Sequence, residues 1–125
     1  MIRDRGIIVP MATIHIPKPE AGAGLRVVAA HHSELAKLCR EFHILRLELF
    51  GSALSGAFDS ERSDLDFLVE FEPLDPGDYA TAFFGFKDAL EQLFGRPVDL
   101  VVASAIRNPY FRRSVDENKA LLYAA

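Results

Sequence analysis

Cysteine is nearly absent from this 125-residue chain: Cys39 stands alone, and there is no tryptophan. A single cysteine excludes an intramolecular disulfide framework and suits a reducing, cytoplasmic setting. No apolar run approaches the ~20 residues needed to span a bilayer, so no membrane partner is expected. Met1 to Pro10 carries charges without a long apolar core behind them, a poor signal peptide. Excess positive charge is also missing, with 14 Lys and Arg against 18 Asp and Glu and a net charge of −4. That balance argues against bulk nucleic-acid binding, which needs a basic surface. It leaves open a single nucleotide held through a metal. There is no Gly-x-x-x-x-Gly-Lys-Ser/Thr loop, which argues against a P-loop NTPase, and Gly22-Ala23-Gly24 lacks a Rossmann context. No internal repeat or low-complexity tract is found. Half of the residues are hydrophobic and 26% are charged, the composition of one soluble globular domain. At this length a core forms without disulfide or metal staples.

Residues 1–30 read as an irregular N-terminal extension. Ile7-Ile8-Val9 and Ile14-His15-Ile16 are short strand candidates, but Pro10, Pro17, Pro19, Gly22 and Gly24 break the stretch. Residues 31–125 read as one domain. Ser33 is a candidate helix cap, and Leu35, Leu38, Cys39 and Phe42 then share a helical face. Leu45, Leu47 and Leu49 alternate with Arg46 and Glu48, a strand pattern ended by Gly51-Ser52. A short helix, Ala53 to Phe58, is expected next. A second strand, Leu65 to Phe71, sets Leu65, Phe67, Val69 and Phe71 on one face and Asp66, Leu68 and Glu70 on the other. Asp78 is a candidate cap for a helix with the stripe Tyr79, Phe83, Phe86, Leu90 and Leu93, stopped by Gly95. Pro97 to Val102 reads as a third strand. Asn108-Pro109 caps a short helix to about Glu117, and Leu121-Leu122-Tyr123 ends the chain as a strand or tail. The order predicts an α/β (α+β) fold, a small mixed sheet with helices covering one face.

The chemistry-bearing pattern is Ser63-Asp64-Leu65-Asp66-Phe67-Leu68-Val69. Aspartates at i and i+2 on a strand share a face, with α-carbons roughly 6.6 Å apart. Aspartate is depleted in strands, so two of them opposite an apolar core face need a reason. Asp99 lies in another apolar strand, again opposite its core residues. If the strands are neighbours, three carboxylates meet on one open face and raise one another's pKa. A divalent cation removes that cost, and hard oxygen ligands suit Mg²⁺ or Mn²⁺. Gly51-Ser52 follows a strand and precedes a helix. Glycine there lets backbone approach a ligand, and N–H groups with a serine hydroxyl at a helix start form an anion site. A phosphate cradle beside a carboxylate triad suits nucleotidyl transfer.

Leu49-Phe50-Gly51-Ser52, Ser63-Asp64-Leu65-Asp66-Phe67-Leu68-Val69 and Val98-Asp99-Leu100-Val101 together resemble the minimal nucleotidyltransferases (MNT type) of the DNA polymerase β-like superfamily. Asn108-Pro109-Tyr110-Phe111 and Leu122-Tyr123-Ala124 are also similar to bacterial members, and the likeness runs from about Leu35 to Ala125. The resemblance implies a mixed sheet with flanking helices, bound Mg²⁺ and a nucleoside triphosphate, usually ATP. It carries metal binding onto Asp64 and Asp66, a metal-ligand or base role onto Asp99, and phosphate contact onto Gly51 and Ser52. Ser63 and Arg62 complete the candidate nucleotide contacts. Many members have an arginine where this chain has Ser55, and Arg62 is the candidate substitute. The resemblance further implies an antitoxin that partners a HEPN-type ribonuclease toxin, forming a complex with it and attaching AMP to one of its tyrosines (AMPylation).

Other readings stand beside this one. The same fold can neutralise a toxin by covering it, without catalysis. A metal-dependent glycosyltransferase also uses Asp-x-Asp, but its catalytic domain is generally much longer. An aminoglycoside-type small-molecule acceptor needs more binding structure than this chain supplies. His15, His31, His32 and His43 read as solvated, and Cys39 as a buried structural thiol. Phe84 falls off the helical stripe. Arg107, Arg112 and Arg113 form a local basic cluster that can serve as a docking patch for an acidic partner or RNA.

Overall fold

A computed structural model describes residues 13–14, 23–54 and 64–125. Its sheet has five strands: β1 (Thr13–Ile14), β2 (Ile44–Phe50), β3 (Leu65–Phe71), β4 (Val98–Val102) and β5 (Lys119–Ala124). Their order is β1-β5-β2-β3-β4, with only β3 and β4 parallel. The helices are α1 (Ala23–Ala29), α2 (His32–Glu41), α3 (Pro76–Phe94) and α4 (Pro109–Glu117). This is the expected mixed sheet with flanking helices.

Strand β3 follows its alternation over its whole length, because Leu65, Phe67, Val69 and Phe71 are all buried on the core face. Against them pack Leu35 and Cys39 of α2 and Ala82, Phe86, Leu90 and Phe94 of α3. Phe71 touches the rings of Tyr79, Phe83 and Phe86, tying α3 to the sheet. Complete burial of a residue such as Phe67 or Phe86 contributes about 1.5–3 kcal/mol. Cys39 is fully buried as expected, and desolvation pushes its thiol far above the usual range. Phe84 stays exposed at 64%. The C-terminal segment is more than a tail: β5 lies inside the sheet between β1 and β2.

Several local expectations change. Part of the extension is regular, since α1 forms at Ala23–Ala29 and sends Val28 into the main core. Helix α2 begins at His32 with His31 in the cap position, so Ser33 lies inside it. A turn of only two residues joins α1 to α2, and the Leu35 N–H already bonds the His31 carbonyl. Helix α3 starts at Pro76 behind Asp75, not at Asp78, because proline's fixed φ suits the first helical position. Gly95 does end it, at φ 64°. A register shift between Ile44 and Arg46 turns Leu45 outward, 43% exposed, and gives its core place to Ile44. His31 stands edge-on to Phe94 at 5.5 Å and is not simply solvated. Instead of a helix from Ala53, a 3₁₀ turn spans Gly51–Leu54, and residues 55–58 lie outside the described residues.

The helices do not all lie on one face. Val115 of α4 joins Phe50 and Leu68 in a second, smaller core on the opposite side of the sheet. Asn108 caps α4 by accepting from the Tyr110 and Phe111 N–H groups at 2.9 and 3.2 Å. The face that carries Asp66 is therefore partly roofed by α4.

Candidate active site

Parallel pairing of β3 with β4 sets Asp66 directly beside Asp99. Strands in register lie about 4.8 Å apart, so both side chains leave the same face next to each other. On the other side Asp66 is paired with Phe50, the last residue of β2. Asp64, exposed, immediately precedes β3 and is two residues from Asp66. Burial raises the Asp66 pKa, and the charges of Asp99 and Asp64 raise it further. The shift is on Asp66, the member that lies between the other two carboxylates.

The chain turns at Gly51 with φ +75°, and a Cβ there would overlap Asp66 Oδ2. Only glycine combines this left-handed backbone with so close an approach. The turn is buttressed from behind, where a Cβ on Gly24 of α1 would meet Ala53 at 2.5 Å. Helix α1 therefore packs backbone to backbone against the turn, a role that no motif in residues 1–30 signalled.

The acids are adjacent in register but not gathered into a cage. Among the described residues no three acidic, histidine or cysteine side chains are grouped closely enough to hold a metal. Asp64 and Asp99 are exposed. The donor set, all carboxylate oxygen, with a half-buried member whose proton affinity is raised by its neighbours, fits a hard divalent cation. Ser55, Arg62, Ser63 and the Ser52 side chain lie outside the described residues.

The sequence profile of the Nucleotidyltransferase domain family matches residues 32–122, which contain α2 to α4, β2 to β4 and most of β5. The chain belongs to this nucleotidyltransferase family. It is 34% identical over 94 residues to MJ0128 of Methanocaldococcus jannaschii, named as a candidate protein adenylyltransferase, covering 75% of this chain and 90% of that one. A solved structure of a candidate minimal nucleotidyltransferase superposes with a TM-score of 0.62 at 30% identity, covering 82% of this chain and 98% of the other. The fold also recurs, at a TM-score of 0.53 and 21% identity, in a complex of an MNT antitoxin with a tri-AMPylated HEPN toxin from Shewanella oneidensis, covering 77% of this chain and 71% of that one. This nucleotidyltransferase is thus of the minimal, MNT type.

Its remaining wall is α4, held by a charge network that sequence reasoning missed. Glu48 is the buried charged residue among those described, 5% exposed, on the α4 side of β2. Its Oε2 lies 3.3 Å from Arg46 and 3.5 Å from Lys119. Lys119 also reaches Asp116 at 3.1 Å, and this hydrogen bond is the main cause holding the Asp116 carboxyl below its usual range. Arg112 bonds Asp116 at 3.1 Å and the Ala103 carbonyl at 2.9 Å. Arg107 likewise donates to the Ser104 carbonyl. Two of the three arginines read as a docking cluster are therefore engaged within the domain. The signal for Glu48 was present, a glutamate inside an apolar strand with Arg46 two residues before it, but its second partner, Lys119, comes from β5, far along the chain. No helix among the described residues is long and apolar enough to cross a membrane.

Proposed function

We propose that this nucleotidyltransferase transfers AMP from ATP to a protein hydroxyl, a tyrosine of a HEPN-type ribonuclease toxin for which it is the cytoplasmic antitoxin. The observation carrying this reading is Asp66, paired in register with Asp99 on one side and pressed against the Gly51 backbone on the other. It supports a reading in which metal ligands stand beside a phosphate cradle. Asp64, Asp66 and Asp99 would hold Mg²⁺ or Mn²⁺, which supplies charge neutralisation at the triphosphate and acidifies a hydroxyl. Gly51 and Ser52, with Ser63 and Arg62 nearby in sequence, orient the phosphates. The acceptor oxygen attacks the α-phosphorus, the bond to the β-phosphate breaks, and pyrophosphate leaves. Exposed Asp99 accepts the hydroxyl proton on its carboxylate. AMP added to the toxin introduces bulk and negative charge where RNA phosphate must sit.

The test incubates the protein with a HEPN toxin encoded beside it, ATP and Mg²⁺, and weighs the toxin by intact mass spectrometry. A gain of about 329 Da per AMP is expected, as covalent addition to a hydroxyl requires. Asp64→Asn and Asp66→Asn should abolish the gain while the fold persists. Ser55 in the place of the family's arginine favours a second reading, a masking module without catalysis. Full inhibition of the nuclease with no change in toxin mass would establish that reading and refute transfer.

A further inference from the structure

Strand β4 ends the sheet, with no strand paired beyond it among the described residues. We propose that a second copy of this chain pairs there, β4 against β4 antiparallel, in a two-fold dimer. Two hydrogen bonds fix which groups of β4 face outward. The Leu65 N–H bonds the Pro97 carbonyl, across the β3–β4 boundary, whereas the Val98 N–H points away and bonds the Glu91 carboxylate at 2.9 Å. Successive residues of a strand turn their N–H and C=O groups to opposite sides. Asp99 and Val101 therefore bond β3, and Leu100 and Val102 direct their backbone groups outward. Nothing in the strand blunts this edge. Val98-Asp99-Leu100-Val101-Val102 holds no lysine or proline, and its register with β3 runs without a bulge. An open groove of about 500 Å³ follows the edge, lined by Phe83, Leu100, Val102, Ile106, Arg107 and Phe111. Phe84 lies on one helical stripe with Lys87 and Glu91, and Glu91 touches the edge. Phe84, 64% exposed, thus overhangs it as well.

The edge is complementary to itself. Pairing centred on Leu100 lets the two Leu100 residues exchange hydrogen bonds and sets Val98 opposite the second copy's Val102. Each Val102 N–H then meets a Val98 carbonyl, while the Val98 N–H keeps its bond to Glu91. Charge agrees with this direction. Glu91 is already paired with Lys87, but Asp99 presents an exposed carboxylate on the face that α4 roofs. Arg107 leads into α4 beyond the other end of the strand, and donates to the Ser104 carbonyl through one nitrogen only. Antiparallel pairing carries the Arg107 of each copy toward the Asp99 of the other, so opposite charges meet twice. The assembly also closes. The opposite edge of the sheet is β1, two residues long, which offers no comparable ladder for a third copy. The two-fold axis stands perpendicular to the sheet, so Asp66 and Asp99 of both copies open on the same side. Each site then carries a cation from the second copy.

Sedimentation equilibrium of the full chain over a concentration series tests this. The wild type should approach twice the mass of one chain. Val102→Pro removes an outward N–H and suits the local backbone, which already stands at φ −82° and ψ 119°. It should raise the dimer Kd about tenfold or more, because a ladder bond is lost on each side of the axis, and leave the far-UV spectrum unchanged. If that variant folds poorly, Phe84→Glu, at an exposed position, should raise the Kd to a similar extent. Register is read by mixing Asp99→Cys copies with Val101→Cys copies. These positions face each other across the axis at about 4.5 Å between α-carbons, within disulfide reach. A mild oxidant should link the mixture but neither variant alone, and buried Cys39 stays out of the reaction. A wild type that remains monomeric at every concentration would overturn the proposal. So would a folded Phe84→Glu or Val102→Pro variant that dimerises like the wild type, or a dimer whose mixed cysteine copies fail to link.

Discussion

Replacing Gly51 with alanine separates two physical effects that meet at one atom. Its backbone sits at φ +75°, where an L-residue costs about 1–2 kcal/mol relative to glycine. Stiffening of the unfolded chain offsets about 0.4–1 kcal/mol of that. The new Cβ would also overlap Asp66 Oδ2. Because that atom ends a flexible side chain, the carboxylate can rotate away, at about 0.5–1.5 kcal/mol for an off-rotamer angle. The sum is a destabilisation of about 1–2 kcal/mol. For a domain of this size that lowers Tm by about 3–10 °C. In an Asp66→Ala background the overlap disappears and only the backbone cost remains. Gly51→Ala should then cost about 0.5–1.5 kcal/mol less than it does in the wild type. Urea unfolding of the wild type, both single variants and the double variant closes the cycle, with couplings above about 0.5 kcal/mol resolved. Strict additivity would refute the reasoning, because it would mean that Gly51 and Asp66 are not in contact. The displaced carboxylate should also weaken Mg²⁺ binding in the single variant, read by calorimetry.

Asp66→Asn should raise the stability of the metal-free protein at neutral pH, since burial and the charges of Asp99 and Asp64 disfavour its ionised form. The raised folded-state pKa makes the ionised group destabilising above that pKa. The advantage of asparagine should therefore fade as pH falls through it toward 3.8, which urea midpoints across that range would record. Lys119→Met removes a cation from the buried Glu48 and should cost about 1–3 kcal/mol in urea unfolding, whereas Glu48→Gln in the Lys119→Met background should recover part of it. Asn108→Ala deletes the acceptor for two α4 N–H groups and should lower stability by about 1 kcal/mol, measured by thermal unfolding.

How much was legible follows from the range of each interaction. Strands β2, β3 and β4 were readable because period-two alternation is local and each sends alternate residues into the main core. The polar members, Asp66 and Asp99, stood out against that pattern. The cap at Asn108 was readable because an asparagine-proline start acts within one turn. Helix α1 was not, because Gly22, Gly24 and two nearby prolines are local breakers, while its stability comes from Val28 in the core and Gly24 against Ala53. The bulge at Leu45 was equally hidden, since nothing in an alternating leucine pattern marks an extra residue.

The identity of the acids, the glycine turn beside them and the mixed α/β character were determined by the sequence itself, because each depends on residue type and short spacing. Tertiary structure alone decided that Asp66 and Asp99 are register partners, since parallel pairing across α3 is a contact between distant segments. It alone decided that β5 runs inside the sheet and that α4 crosses to the face carrying the acids. The same crossing sets Phe111, Ser114 and Asn118 opposite Gly51 and buries Glu48 against Lys119. These arrangements arise from packing between segments far apart in the chain, where the stabilisation comes from joint burial and no local pattern records the partner.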